Sequence, residues 1–289
     1  MPDKYSAVWI SHTSLSTFLN CPRAYYLQTV YKDPVTNRKF QVMSAPLALG
    51  SAVHEVLESL SVLPTNERFS RSLIDRFETA WAKVSGKKGG FYSDEHESRY
   101  KQRGEAMLRR VMANAGPLLN KAVKIKSDLP QYWLSEADEI ILCGKVDWLE
   151  YLEDQDAVHV IDFKTSMKEE DGESLQLPIY HLLVHNVQHR KVAKASYWYL
   201  ENNDDLTEKV LPDLQSAHEK VLEIAKRIKV QRKLGIYKCP QGEGGCFCCQ
   251  PLEKVLRGEA ELVGVNDHRQ SVYILSPKEA DLIDQSEIL

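Results

Sequence analysis

The stretch GKVDWLEYLEDQDAVHVIDFKTS places two carboxylates and a lysine at strand spacing. Asp162 and Lys164 are two residues apart, so on a strand they share a face while Phe163 points the other way, into a core. The acidic turn EDQD (153–156) separates two runs rich in β-branched and aromatic residues. That pattern predicts an antiparallel hairpin, with Asp147 on the strand beside Asp162. Two carboxylates and an ammonium at one point are costly unless a cation or a substrate phosphate completes the charge balance. Carboxylate oxygens suit Mg2+, or Mn2+ if an imidazole joins them. Such an ion lowers the pKa of bound water and stabilises charge developing on a phosphate under attack. Taken alone, D-x-K also describes an ordinary edge-strand ion pair.

The cysteines offer a second chemistry. The chain has six, and four of them (Cys239, Cys246, Cys248 and Cys249) fall within KCPQGEGGCFCCQ. Cys246 and Cys249 are in C-x-x-C spacing, and the glycines let the backbone wrap closely around an ion or cluster. Thiolates select zinc and iron–sulfur centres alike. The opening residues lack a signal-peptide core, so the expected compartment is the reducing cytoplasm, where clustered thiols indicate metal before disulfides. Cys143, inside the apolar run EIILCG, reads as a core thiol.

The elements that must position these groups follow from periodicity. SHTSLSTFLNCPRAYYL reads as a short helix capped by Ser11 or Thr13 and broken by Pro22. PLALGSAVHEVLESLSVL carries a second helix, with Val53, Val56, Leu57 and Leu60 on its apolar stripe. Phe69, Leu73, Phe77 and Trp81 mark a third, and a longer helix runs from about residue 95 to 125 beyond the SGKKGG breaker. Strands are expected from Tyr132 onward and at ASYWYL, with helices over 175–187 and from Pro212 to about Leu234. SPKE (276–279) resembles a capping box. Helices, then a small mixed sheet, then helices again predict an α/β fold with helical additions at both ends. All 289 residues read as one elaborated domain. Its core motifs lie in 44–200, a helical insertion spans about 61–130, and the cysteine-rich segment is 239–249. The balance of 37 Lys and Arg against 41 Asp and Glu, a net charge of −4, excludes a globally basic nucleic-acid binder. No apolar run is long enough for a membrane span.

Taken together these segments resemble a family. GKVDWL, VIDFKTS and QLPIY are similar to the GxxD, DxK and QxxxY motifs of the PD-(D/E)XK nucleases, in the branch related to RecB. GSAVHE (50–55) resembles that branch's GxxxHE helix motif, and FLNCPRAYYL its N-terminal FxxCPxxYYL signature. The resemblance runs from about residue 10 to 250, with 61–130 matched by position alone and 251–289 unmatched. It implies a restriction-endonuclease-like α/β core and a metal-dependent DNA nuclease, of exonuclease type, serving repair, recombination or defence. Asp147, Asp162 and His54 would be metal ligands, with the Phe163 carbonyl as a possible addition. Lys164 would orient or deprotonate the attacking water, and Gln176 and Tyr180, at i and i+4 of one helix, would flank the site. Glu58, one turn beyond His54, reads as a solvated helix residue. Phe163 stands where Tyr is commoner in the family, and Ser166 where Gly often follows.

In relatives with an iron–sulfur staple, one cysteine lies in the CPxxYY motif and three lie beyond the core. Cys21, Cys239, Cys246 and Cys249 are similar to that arrangement, which implies a structural [4Fe–4S] cluster. Structural Zn2+ is the alternative. The spacing departs from the usual C-x2-C-x5-C, which leaves Cys248 able to replace Cys249 or Cys239. The implied partner is DNA, single-stranded or at duplex ends, with a helicase or recombination protein alongside and no membrane. Basic runs at Lys220–Lys233 and Arg99–Arg110 are either solvated helix faces or a groove tracking phosphates. Tyr25 and Tyr26 are either packed or available to stack on bases. A non-catalytic DNA-binding module that keeps the nuclease fold, and a zinc-stabilised hydrolase of another phosphoester, are the rival functions.

Overall fold

The computed structural model describes residues 3–170, 172 and 174–276. In chain order the strands are β1 (Val8–Ile10), β2 (Phe40–Val42), β3 (Gln131–Ser135), β4 (Ile140–Cys143), β5 (Trp148–Leu152), β6 (Ala157–Lys164), β7 (Lys191–Tyr199), β8 (Thr207–Lys209), β9 (Glu261–Val265) and β10 (Ser271–Ile274). The helices are α1 (His12–Asn20), α2 (Pro22–Tyr25), α3 (Ala45–Ser59), α4 (Leu73–Val84), α5 (Asp94–Ala113), α6 (Gln176–Val187), α7 (Leu214–Leu234) and α8 (Gln250–Leu256). The fold is therefore the mixed α/β type expected, with small mixed sheets and helices before and after them. Its contacts divide the chain into two compact units. One is built from Met1–His12, Val53–Glu78 and Glu105–Val230, the other from Thr13–Ala52, Thr79–Gly104 and Gln231–Leu289.

The first unit holds two sheets, ordered β5-β6-β7-β8 and β1-β4-β3. The EDQD turn forms the expected hairpin: β5 and β6 are antiparallel, with Trp148 opposite Ile161. Asp156 closes the turn in the left-handed region at φ 42°, which a short polar side chain tolerates better than a branched one. β6 then runs parallel to β7, and α6 joins them across the sheet, packing on β7 and β3. Five of β6's residues are apolar or aromatic and buried, and each large one contributes roughly 1.5–3 kcal/mol. On its polar positions, His159 Nδ1 lies 2.8 Å from Glu150 Oε2 and Nε2 2.8 Å from Ser196 Oγ, so one buried chain of polar groups ties β5, β6 and β7.

In the second unit the sheet is β2-β10-β9, with β10 parallel to β2 and antiparallel to β9. Residues beyond 250, which carry no motif, supply α8 and two of these three strands. Cys21, Ala24, Leu27, Phe40 and Leu252 pack with Cys239, Cys246 and Cys249 into one core cluster.

Several boundaries differ from the sequence reading. α1 ends at Asn20, before Pro22 as expected, and Pro22 also opens α2, where its missing N–H costs nothing and Cys21 caps the helix by accepting the Ala24 N–H at 3.4 Å. The long helix α5 stops at Ala113, because Gly116 and Pro117 turn the chain into a 3-10 segment. Phe69 precedes α4 instead of lying on it. Asp147 sits one residue before β5. The SPKE segment lies outside the described residues apart from Ser276.

Candidate functional site

At the C-terminal end of β6, Asp162 and Lys164 stand on one face with Lys164 Nζ 3.1 Å from Asp162 Oδ2, while Phe163 is buried on the other. The hairpin register, continued one step past Trp148 and Ile161, sets Asp147 against Asp162. Asp147 Oδ2 accepts the Phe163 backbone N–H at 2.9 Å, which fixes that carboxylate beside the second one. α3 brings His54 into the same place, with Nδ1 3.4 Å from Asp147 Oδ2 and 3.6 Å from Glu58 Oε1. Lys145 pairs with the other oxygen of Glu58.

α6 supplies the remaining wall. Gln176 Oε1 accepts from Lys164 Nζ, and its Nε2 donates to Asp162 Oδ1 at 2.7 Å and to the Tyr180 hydroxyl at 3.3 Å. One amide thus aligns the acid and the ammonium at once. Lys164 also meets Glu170 Oε2 at 2.9 Å and lies over the Tyr197 ring, 4.9 Å from its centre.

The electrostatics follow from crowding acids in a dry place. Burial and the charge of Asp147 push the Asp162 carboxyl up to about 7. Burial opposes charge at Asp147 too, but His54 and the Phe163 N–H outweigh it and hold that carboxyl below the usual range. Burial likewise works against a charged His54, yet Asp147 and Glu58 raise it well above its ordinary value. The surplus of carboxylates calls for positive charge at this point. Burial works against a charged Lys164, but Asp162 and Glu170 outweigh it and raise it above its ordinary value. His12, at the start of α1, is driven down to about 4 by burial and by Lys164.

This donor set fits a hard divalent cation. Ligand atoms of His54, Glu58 and Asp147 lie within 4.8 Å of one another. Asp162 Oδ2 is buried and makes no hydrogen bond, its close neighbour Lys164 being out of line for one. Glu58 is therefore not the solvated residue the sequence suggested: its side chain is 16% exposed and faces His54. Its i+4 spacing from His54 was the available signal. Lys145, inside the GKVD motif, and Glu170, in the acidic run after the strand, were also missed.

The second gathering lies within the second unit. The sulfurs of Cys21, Cys239, Cys246 and Cys249 lie within 4.8 Å of one another, all four residues buried, and Cys248 is not among them. None is in a disulfide; Cys246 and Cys249 sulfurs are 3.9 Å apart. Backbone N–H groups of Ala24, Gln241 and Cys246 donate to the sulfurs of Cys21, Cys239 and Cys249. Burial pushes Cys21 up to about 11, whereas at Cys246 it is outweighed by backbone N–H groups of Cys249 and Cys248, which bring that thiol down to about 7. Gly245 turns at φ +74°, and a Cβ there would stand 3.0 Å from the Cys249 sulfur, so the loop wraps too tightly for a side chain. Four buried thiols stripped of disulfides and fed by N–H donors suit a metal centre. Cys143 is an ordinary core thiol, donating to the Ile10 carbonyl at 3.3 Å.

Of the other groups singled out by sequence, Tyr25 is fully buried and Tyr26 stacks on Tyr237 with centroids 4.7 Å apart. On α7, Lys226 and Lys229 are engaged by Asp138 and Glu139, so this basic run is in part a packing face.

The profile of the PD-(D/E)XK nuclease superfamily matches residues 9–250, and the chain belongs to that superfamily. No curated protein matches it. Membership implies metal-dependent nuclease chemistry in general, and nucleases of this superfamily use divalent metals and act on DNA. No helix among the described residues is long and apolar enough to cross a membrane.

Proposed function

We propose that the protein is a divalent-metal-dependent deoxyribonuclease of the RecB-like branch, acting as an exonuclease on single strands or duplex ends in repair, recombination or defence. The observation that carries this reading is the convergence of His54, Asp147, Asp162 and Lys164 at the end of β6, braced by Gln176. His54, Asp147 and Asp162 would hold Mg2+ or Mn2+, with Glu58 close enough to join them. The ion, when bound, lowers the pKa of water and offsets charge on the phosphate. Lys164, with Nζ 3.1 Å from Asp162 Oδ2, would donate hydrogen bonds to the attacked phosphate and orient or deprotonate the attacking water. Gln176 keeps Lys164 and Asp162 in register while both are engaged, and Tyr180 braces Gln176. A helicase or recombination partner, and a cytoplasmic setting, belong to the same reading.

For the cysteines the resemblance to iron–sulfur relatives supports a structural [4Fe–4S] cluster on Cys21, Cys239, Cys246 and Cys249. A second reading, single Zn2+, is favoured by the sulfur spacing: bonds of about 2.3 Å in a tetrahedron put sulfurs about 3.8 Å apart, and the Cys246–Cys249 separation is 3.9 Å. In either case the centre joins residue 21 to the 239–249 loop and stabilises the unit around it.

The test is cleavage of labelled single- and double-stranded DNA in Mg2+ or Mn2+ by the wild type and by Asp162→Ala. Metal-dependent cleavage lost in the variant is expected. Equal activity in both would remove the assignment.

A further inference from the structure

Lys164 has a carboxylate partner that no motif supplies. Glu170 lies in the segment between β6 and α6, its side chain only 18% exposed, with Oε2 2.9 Å from Lys164 Nζ. It is itself fixed at two points: Oε1 accepts from Ser174 Oγ at 2.9 Å, and its backbone N–H donates to the Tyr199 hydroxyl at 2.9 Å. Tyr199 is 1% exposed on β7, so the acid is anchored to the sheet's core and not to solvent. An ion pair held this way is unlike a surface pair, whose long side chains must be ordered for little gain. It also has a use at this position. Asp162, the other acid beside Lys164, has its charge directed elsewhere once a cation is held, whereas Glu170 faces Lys164 and not the His54–Asp147 cluster.

Resting on the nuclease reading above, we infer that Glu170 is a positioning residue: it is the anchored partner that keeps the Lys164 side chain aimed at the scissile phosphate while Asp162 is engaged. Together Gln176 and Glu170 hold the ammonium from two sides, leaving its third N–H for the substrate. Loss of Glu170 leaves Lys164 held by Gln176 and Asp162 alone, which misplaces the donor without removing it. Misplacement on the scale of an ångström is enough to lower the rate steeply.

The experiment is steady-state cleavage by Glu170→Gln, Glu170→Asp and Lys164→Ala full-length proteins, with unfolding midpoints and Mn2+ affinity measured beside it. The expected result for Glu170→Gln is a kcat lower by about 10-fold or more with KM within about three-fold. Mn2+ affinity should stay within about two-fold, and Glu170→Asp should recover much of the rate. If Glu170→Gln lowers the unfolding midpoint, Tyr199→Phe carries the test, since it removes only the hydroxyl that anchors Glu170; a kcat loss of about three-fold or more is then expected. Wild-type kcat in Glu170→Gln beside an inactive Lys164→Ala overturns the inference and leaves the nuclease reading standing. A raised KM at unchanged kcat overturns it equally. Full activity in Lys164→Ala overturns both.

Discussion

Asp147 accepts the backbone N–H of Phe163 at 2.9 Å through the same oxygen that faces His54. The hairpin itself therefore holds this carboxylate, and the strand that carries Asp162 also orients its partner acid. Asp147→Asn keeps an acceptor for the N–H but removes the charge. The fold should persist, with an unfolding midpoint near that of the wild type, while cleavage falls by at least about 100-fold, the upper end of what loss of even an outer partner of a metal site costs. A variant that unfolds early and yet cleaves normally would show that the bond, not the charge, is what Asp147 contributes.

Gln176 bridges Lys164 and Asp162, and its effect should be graded. Gln176→Ala frees both groups without deleting either, so kcat should drop by about 10- to 100-fold with KM little changed. Single-turnover rates measure this directly. A loss confined to KM would reassign Gln176 to substrate binding.

The buried pair Glu150–His159 carries a pH dependence. Burial alone would raise the Glu150 pKa, but hydrogen bonds from His159 and Asn120 outweigh it and hold the carboxyl below its ordinary range. A carboxyl whose pKa falls on folding contributes stability above its unfolded value, and that contribution is lost as the pH drops through the folded value. Near neutral pH, Glu150→Gln should be less stable than wild type by about 1–3 kcal/mol. On acidification below the usual carboxylate range the gap should narrow, as followed by thermal unfolding across pH. Parallel curves would contradict the linkage.

The four-cysteine group should report its metal by colour. A brown protein absorbing at about 400 nm supports the cluster, and a colourless anaerobic preparation with stoichiometric zinc supports the single ion. Cys21→Ser should lose the metal and lower the unfolding midpoint in either case, because it breaks the link between distant parts of the chain. Gly245→Val should weaken metal retention as well, since its Cβ has no room beside Cys249. Full metal content in Cys21→Ser would remove Cys21 from the ligand set.

Much of this was legible in the sequence where local rules apply. The period of two and the EDQD turn located the hairpin, and with it the meeting of Asp147, Asp162 and Lys164. The clustered cysteines announced themselves by spacing. What stayed hidden depends on contacts across elements. Glu150, His159 and Ser196 lie on three strands, and only their register brings them together. Glu58 looked like a helix surface because nothing local says that Lys145 and the Asp147 carboxylate will face it. Glu170 sits in a run of acids whose members are equivalent in sequence and become distinct only through Tyr199 and Ser174. The strands β1, β2, β9 and β10 have three to five residues each, too few for a period to show. Pro22 marked the end of α1 but not the start of α2, because the same residue that breaks a helix interior begins one well.

The central claim is that the acid–lysine site cleaves DNA, and binding and cleavage measured on the same samples test it most directly. End-labelled DNA is incubated with wild type and with Lys164→Ala in Mn2+, with bound and cut fractions read together. The account predicts that both proteins bind with similar affinity and that only the wild type cuts. Tight binding by the wild type with no cleavage in either Mg2+ or Mn2+ would contradict it, and would mark the protein as a DNA-binding module that keeps the nuclease fold.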